Sequence, residues 1–348
     1  MRLTPIALAL LALPLAAQES QSYSLAGDVV ALYNIAGSVT VQGGGRGPVT
    51  VAVSRTGPDA ARLTVETGTL RDRMTLRVLY PDERIIYPAM GRGSNSNFYI
   101  REDGTWGDEE GRRNRQGERR RVTIRGDGDG LEAAANLRVT IPEGRRVFIY
   151  LGFGRIEAST VHGELYLDTM GGDVTARGTE GVLNIDTGSG EISVTDVAGR
   201  ISLDTGSGDV AVTGLKEGEL EVDTGSGSVT GSRITARRIG IDTGSGDIEL
   251  QSATAPVVSL DTGSGSIRLE LTGGIDRLEA ETGSGNVSVR LPESVNATVT
   301  LETGSGDIDL AVPLQLVRKS EGEIQGRLGD GRGIISIETG SGDIELIR

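Results

Sequence analysis

The sequence contains no cysteine, and this absence removes several kinds of chemistry at once. Without cysteine there is no disulfide, no thiolate metal site, no cysteine nucleophile and no lipid-modified cysteine. A single histidine, His162, and two lysines, Lys216 and Lys319, leave little material for acid–base or nucleophilic catalysis. The sequence therefore predicts no catalytic residue and no cofactor, and we expect the protein not to be an enzyme.

Aromatic residues are also scarce, at 3% of the chain, and none follows Tyr166. A sugar-binding cleft on the C-terminal half is therefore disfavoured, because such a cleft needs aromatic platforms. The aromatic-rich stretch is 80–166. The alternative to a structural role, a carbohydrate-binding or carbohydrate-processing function, would use this stretch.

Positive charge is in deficit, with 35 Lys and Arg against 49 Asp and Glu, a net charge of −14. Such a chain is not expected to bind nucleic acid through its overall field. No stretch offers the roughly 18 apolar residues that a transmembrane span requires. The shorter apolar run at 6–15, preceded by Arg2 and followed by Ala16-Ala17, predicts a signal peptide at 1–17. We expect a secreted, periplasmic or cell-surface protein.

Glycine, by contrast, is abundant, with 53 residues, and much of it recurs in one motif. The motif is Asp/Glu-Thr-Gly-Ser-Gly, and its copies are spaced by 18, 19, 19, 19, 20, 21 and 36 residues. The last spacing is twice 18, which predicts a worn coil with its turn at 321–324. Related sequences at 168–174 and 150–156 extend the repeat upstream. The copies begin at Asp186, Asp204, Asp223, Asp242, Asp261, Glu281, Glu302 and Glu338.

Apolar and polar residues alternate on both sides of each glycine turn. Ile201 and Leu203 precede the turn at 206–208, and Val210 and Val212 follow it. A period of two on both sides predicts two short strands per coil with aliphatic side chains inward. One such coil cannot bury enough surface alone, so the coils must stack. We predict an all-β fold, a β-solenoid of about eleven 18–21-residue coils at 131–348, after a smaller β-rich region at 18–130.

Two further expectations concern the glycine turns and residues 81–121. The turn glycines should allow a tight reversal and close stacking, and the preceding Asp should cap the turn by accepting N–H groups. Residues 81–121 interrupt the strand pattern with Gly, Asn and Ser clusters and the basic runs 112–115 and 119–121. They predict a long solvated loop, with a polyanion or glycan contact as the alternative.

The repeated motif also raises two chemical alternatives. Asp-Thr-Gly after a hydrophobic strand resembles the active-site loop of aspartic proteases, but those enzymes need two facing carboxylates that share a proton. Stacked copies would instead lie side by side on one edge. Outward carboxylates could hold calcium loosely. The weak metal candidates are Asp186, Asp204, Asp223, Asp242 and Asp261.

The chain resembles a widespread bacterial family known as putative adhesins, a domain of unknown function with β-strand repeats. The resemblance is carried by 34–39, by 137–144 and by the Thr-Gly-Ser-Gly-Asp-Ile repeats. It implies a secreted or envelope-associated β-solenoid and no catalytic residues.

These observations predict a non-enzymatic secreted or envelope protein, an adhesin or a structural binding protein. The partner would be a surface or envelope component, either a glycan or a protein. Residues 343–348 have a strand pattern and no covering element after them, which predicts an open solenoid end. Such an end invites end-to-end self-association, opposed by Asp343, Glu345 and Arg348.

Overall fold

The computed structural model describes residues 20–107 and 119–348, and its regular structure is almost entirely strand. The predicted signal peptide and the basic run at 112–115 lie outside the described residues. Two short 3-10 helices, Ala60–Arg62 and Pro88–Met90, occur in the described part. Nothing helical in these two ranges has the length and apolarity needed to traverse a bilayer.

Each coil of the stack has the predicted form. Leu203 before the glycine corner and Val210 after it are buried, and Asp204, Ser207 and Asp209 between them are exposed. Leu203 stands in register between Ile185 and Val222 of the neighbouring coils. Aliphatic side chains therefore form continuous columns inside the stack. The predicted β-solenoid is confirmed.

The strand before the glycine corner lies on one side of the stack, and the strand after it lies on the other. Some strands continue around the second corner and so contribute to both sides. Together they join one hydrogen-bonded set of 26 strands in the described residues. The strands from residue 134 onward are β11 (Ala134–Ile141), β12 (Arg146–Phe153), β13 (Ile156–Ser159), β14 (His162–Gly171), β15 (Val174–Arg177), β16 (Glu180–Thr187), β17 (Ile192–Thr205), β18 (Val210–Thr224), β19 (Val229–Thr243), β20 (Ile248–Thr254), β21 (Val257–Thr262), β22 (Ile267–Leu271), β23 (Arg277–Thr282), β24 (Val287–Arg290), β25 (Ala297–Thr303), β26 (Ile308–Leu310), β27 (Gln315–Ser320), β28 (Glu323–Leu328), β29 (Gly333–Thr339) and β30 (Ile344–Ile347).

The order of coils departs from the order of the sequence near the C-terminus. Strand β29 pairs in parallel with β23 on one side and with β25 on the other. Strand β30 likewise lies between β24 and β26. The coil at 333–347 is therefore an internal layer, and the coil at 297–310 lies outside it. The predicted open end at 343–348 is wrong, because these residues are covered on both sides.

The predicted worn coil at 321–324 is also wrong. Strands β27 and β28 form an antiparallel hairpin, and β28 pairs antiparallel with β25. The hairpin closes at Glu321 and Gly322, and Gly322 has a φ of +76° that favours glycine. The segment lacks the Thr-Gly-Ser-Gly corner, so nothing directs it into another parallel layer. It lies against the outermost coil instead.

Strand β27 has an edge with two features that oppose pairing. Its register with β28 shifts between Leu316 and Arg318, which leaves Val317 as an extra residue with 74% exposure. Arg318 and Lys319 follow on the same strand. A bulge and charged side chains on an edge strand both block addition of another strand. These features disfavour the predicted end-to-end association at this end of the stack.

We expect the double change Arg318→Val and Lys319→Val to increase self-association through β27, since it removes the charges that guard the edge. Light scattering over a wide concentration range should show a rising mean mass for this variant and a constant mass for the wild type. The control is Arg237→Val with Arg238→Val, which removes two exposed charges far from the edge. Equal association of both double variants would contradict the role of the edge.

At the other end, residues 29–43 form an additional coil. Strands β2 (Val29–Ala36) and β3 (Val39–Gly43) stack in parallel on β12 and β13. The division predicted at residue 130 stays a prediction, although sheet pairing continues across it. The sheet is extended on the β2 side by β6 and β5 and on the β3 side by β11, β4 and β1. Their bounds are β1 (Ser20–Leu25), β4 (Val49–Thr56), β5 (Thr64–Leu70) and β6 (Arg73–Leu79).

The described part of 81–121 contributes three strands to a second, four-stranded sheet. This sheet contains β7 (Arg84–Ile86), β8 (Asn95–Arg101), β9 (Arg119–Arg125) and β10 (Leu131–Glu132), in the order β10-β7-β9-β8. Phe98 and Trp106 are buried, with ring centroids 5.5 Å apart, and Trp106 also contacts Tyr33 of the stack at 5.4 Å. The predicted solvated loop is therefore wrong for these residues, because short apolar alternations fold them onto the solenoid.

Candidate functional site

The acidic residues that begin the repeats form one row on the outside of the stack, which we call the carboxylate row. Each stands directly opposite its equivalent in the next coil, so the spacing is that of paired strands, roughly 4.8 Å. Glu338 stands between Glu281 and Glu302, as the strand order requires. In spatial order the row is Asp168, Asp186, Asp204, Asp223, Asp242, Asp261, Glu281, Glu338 and Glu302.

Several carboxylates of the carboxylate row have no compensating partner. Within the described residues, no hydrogen bond or ion pair involves Asp186, Asp204 or Asp261. Burial raises the pKa of Asp186, and the charge of Asp204 raises it further. Burial and then the charge of Asp242 likewise raise the pKa of Asp261. The row is thus a narrow stripe of mutually repelling charges.

The row distributes its carboxylates rather than gathering them. The weak metal candidates, Asp186 to Asp261, occupy successive layers, and no group of three or more His, Cys, Asp or Glu residues in the described chain is placed to hold one ion. Loose calcium binding stays a prediction. The side-by-side arrangement also differs from the facing pair that an aspartic protease requires. His162 is exposed at the start of β14.

The threonine of each motif is buried beneath the glycine corner, and sequence reasoning missed its role. Thr262 Oγ1 donates a hydrogen bond to the Gly246 carbonyl oxygen at 2.9 Å, and Thr339 Oγ1 donates to that of Gly285 at 2.9 Å. In each case the acceptor is the last motif glycine of the adjacent coil. The signal in the sequence is that threonine persists in all eight copies while the preceding acid changes from Asp to Glu.

The residue after most corners accepts an N–H hydrogen bond of the kind that the sequence assigned to the motif Asp. Asp209 Oδ1 accepts the N–H of Ser228 at 2.9 Å, and Asn286 Oδ1 accepts that of Asp343 at 2.9 Å. Asp, Asn and Ser all carry a short oxygen acceptor, which explains the variation at this position. The prediction that the motif Asp caps the turn is wrong, and its carboxylate is left free for the surface.

A cleft of about 660 Å³ lies beside the corners of the first coils. Its floor is formed by the corner at Phe153 and Gly154 and by the equivalent corners at 38, 172 and 189. Its wall is the segment 87–94 of the smaller sheet, which includes Tyr87 and Met90. The wall is anchored at both ends, since the Tyr87 N–H donates to the Arg125 carbonyl and the Gly126 N–H donates to the Ser94 carbonyl. The cleft is therefore preformed.

Charged groups line one side of the cleft. Arg155 lies 3.7 Å from Asp173 and 3.9 Å from Glu157, measured between guanidinium nitrogen and carboxylate oxygen. Burial raises the pKa of Tyr87, and the positive charge of Arg155 opposes this shift. The cleft combines an aromatic ring, a thioether, hydroxyls and a carboxylate-rich ion network, a mixture typical of small-ligand sites.

Most aromatic residues of 80–166 are not free to contact a ligand through their faces. Tyr33 and Tyr150 are stacked and buried, with ring centroids 4.6 Å apart. Phe148 and Tyr166 stack at 4.4 Å, and the Arg73 guanidinium lies 4.3 Å from the centroid of Phe148. Stacking covers one face of each ring and Arg73 contacts Phe148 as well, so this pair offers little free ring face to a sugar. The cleft is the better site in this region.

A comparison with models of known protein families identifies the family of these coils. The family model for Toastrack DUF4097 matches residues 132–347. The chain belongs to the Toastrack DUF4097 family. The match covers the stack from β10 to β30 and leaves out β1–β9. The predicted resemblance to a family of unknown function with β-strand repeats is confirmed.

Comparisons with solved structures and with curated proteins give no further support to the Toastrack assignment. A crystal structure described as that of a "putative cell adhesion protein" from Clostridium sporogenes aligns with 94% of this chain and 98% of its own. The identity is 10% and the TM-score 0.20, values that support no argument about fold or function. No curated protein matches the chain.

We expect Asp204→Asn to stabilise this Toastrack chain at neutral pH by a few tenths of a kcal/mol, because like charges opposite each other in a sheet destabilise it. Burial and the Asp223 charge raise the pKa of Asp204, so the folded chain binds more protons than the unfolded chain. Stability from this group therefore falls as pH rises through the carboxylate range. Thermal unfolding should show a gain at pH 7 that shrinks at pH 3 and at high salt.

The control for this experiment is Asp196→Asn, which removes an exposed carboxylate at the second corner, outside the row. Asn also tolerates the left-handed backbone at this position, where φ is +53°. A gain at Asp204 that is independent of pH and salt, or equal to that at Asp196, would contradict repulsion within the row.

Proposed function

We propose that this Toastrack chain is a non-enzymatic binding protein of the cell surface or envelope, an adhesin or a structural protein. The observation that supports it is the carboxylate row. The Thr hydroxyls and several acceptors after the corners are used in stacking, whereas Asp186, Asp204 and Asp261 of the row have no hydrogen bond or ion pair within the described residues. A rigid, repeated line of charge suits a partner with spaced positive groups, or one bridged by divalent cations.

The chemistry of the coils supports the non-enzymatic part of the proposal. General acid–base catalysis needs groups held near one reacting bond, with different environments for acid and base. The row instead gives its carboxylates nearly equivalent environments in successive layers. The charged groups of the cleft, Arg155, Glu157 and Asp173, are engaged with one another.

The test is equilibrium binding of the labelled full chain to purified cell envelopes, with and without EDTA. We expect saturable binding that weakens at least tenfold in the double variant Asp204→Asn and Asp223→Asn. The control, Asp196→Asn with Glu217→Gln, removes two exposed charges from the same part of the stack and should bind like the wild type. Sensitivity to EDTA would show that cations bridge the row to its partner.

Three results would contradict the proposal. Absence of saturable binding by the wild type would remove the binding function. Equal binding by the row variant and its control would exclude the row as the contact surface. Release of soluble fragments from the envelope by the wild type would contradict a non-enzymatic role.

A further inference from the structure

The cleft beside the first corners is separate from the carboxylate row and calls for a different kind of ligand. Backbone groups at its floor are already paired, since the Gly154 N–H donates to the Gly171 carbonyl at 3.1 Å and the Gly172 N–H donates to the Ser189 carbonyl at 2.8 Å. Addition of a peptide strand needs unpaired backbone groups. The floor therefore offers side chains and not a strand edge.

The charges that line the cleft restrict the class of ligand further. The single cation, Arg155, is matched by two carboxylates, Asp173 and Glu157, so the lining carries a net negative charge. Phosphorylated, sulfated or carboxylated ligands would be repelled. An entirely apolar ligand would leave these charged groups without hydrogen-bonding partners when it displaced water.

A ligand rich in hydroxyl groups fits both conditions. Carboxylate and guanidinium groups form strong charge-assisted hydrogen bonds with hydroxyls. Tyr87 and Met90 on the wall supply apolar surface for the C–H face of a sugar ring. The Tyr87 hydroxyl lies against Gly154, and no hydrogen bond to it occurs among the described residues. It can therefore serve the ligand.

The cleft continues into a second depression of about 350 Å³ on the β1, β3, β4 and β11 surface. The two share Ser38 and Thr40, and the second is lined further by Ser54, Asn136 and Arg138. Asn136 is fixed by accepting the N–H and hydroxyl of Ser38, both at 3.0 Å. Arg138 balances the excess carboxylate of the cleft, so the combined surface is polar without a net charge and suits a neutral ligand longer than one ring.

From these observations we propose that the cleft and the adjoining depression bind a short neutral oligosaccharide. The oligosaccharide panel described next determines which sugar units and linkages the site accepts. The inference rests on the proposed binding function, but it assigns a second site with its own ligand.

The test uses the full chain on a panel of neutral, amino-bearing and acidic oligosaccharides, followed by calorimetric titration of the best neutral ligand. Asp173→Asn should weaken binding of that ligand at least tenfold, because it removes a carboxylate charge from the cleft. The fold should be kept, since Oδ1 of asparagine can still accept the Glu191 N–H, which lies 3.2 Å from Asp173 Oδ1 in the wild type. The matched control is Asp209→Asn, which has the equivalent bond to Ser228 two coils away. The control should change the affinity less than twofold.

A second pair of variants tests occupancy of the cleft. Ser189→Tyr places a ring at the cleft and should abolish binding, whereas Ser226→Tyr at an equivalent corner outside it should not. The inference would be overturned if no neutral glycan bound or if acidic glycans bound more tightly. Equal effects of Asp173→Asn and Asp209→Asn on the affinity would overturn it as well. If envelopes are bound through protein components while every glycan is blank, this inference fails and the proposed function stands. If glycans bind and envelopes do not, the proposed function fails.

Discussion

Gly246→Ala is expected to lower the free energy of unfolding by about 3 kcal/mol or more, or to prevent folding. An added Cβ would lie 2.0 Å from the Gly227 carbonyl oxygen and 2.5 Å from its carbonyl carbon. Both atoms are backbone atoms held by the next coil, so neither can rotate away. The clash would separate two layers of the stack. Urea unfolding followed by circular dichroism measures the loss.

The matched control is Gly240→Ala in the same coil. An added Cβ there meets nothing within 4 Å, and the position lies inside β19 on the outer surface. Alanine should be neutral or slightly stabilising, because glycine in a strand loses more backbone freedom on folding. Equal destabilisation by both changes would contradict close stacking of the layers as the reason for the corner glycines.

Ile337→Asp is expected to destabilise its own strand, β29, and the layers that pack on both sides of it. Ile337 is 1% exposed and lies between Ala280 of β23 and Leu301 of β25. A buried charge without a partner there should cost more than about 3 kcal/mol. Hydrogen exchange should show loss of protection in β25, β26 and the β27–β28 hairpin as well as in β29 and β30. The control, Ile334→Asp, alters a side chain of the same strand that is 50% exposed, and protection should be kept.

A pair of cysteine variants tests the strand order directly, because the chain has no cysteine of its own. Glu279→Cys with Ser336→Cys places the thiols in adjacent layers, roughly 4.8 Å apart between Cα atoms, within disulfide range. Glu279→Cys with Thr300→Cys places them two layers apart, outside it. We expect the first pair to oxidise readily and the second not to. The reverse result would mean that coils follow sequence order.

Much of the coil could be read from the sequence for a physical reason. A parallel stack places each residue on its equivalent, so the spacing of the motif copies is also the register of the layers. Asp186, Asp204 and Asp223 are thus neighbours in space as the repeat predicts. The inward columns follow from strand alternation in the same way.

The position of the last coil could not be predicted by this reasoning. The coils at 297–310 and 333–347 present nearly the same alternation and the same corner, so either fits against β23. In the structure the hairpin at 315–328 pairs through β28 with β25 and so covers the outer coil, while β29 lies on the other side of β25. A pattern that is the same in every layer contains no information on the order of layers.

The cleft was missed for a related reason. Its lining comes from five separated parts of the chain, near 38, 87, 154, 172 and 189, and the repeat motif at the last two does not distinguish them from the other corners. Strand formation by 84–101 depends on burying Phe98 and Ile100 against the solenoid. That tertiary contact overrides the loop preference of the surrounding Gly, Asn and Ser residues.

The placement of β29 between β23 and β25 has a consequence for folding kinetics. Most layers dock on a neighbour about 19 residues away, a short loop to close, so assembly can proceed layer by layer. Strand β25 must wait until residues 36 positions later have docked on β23. The final two layers and the hairpin should therefore form together in one late step, and premature docking of β25 on β23 would be a kinetic trap that must be undone before the native order is reached.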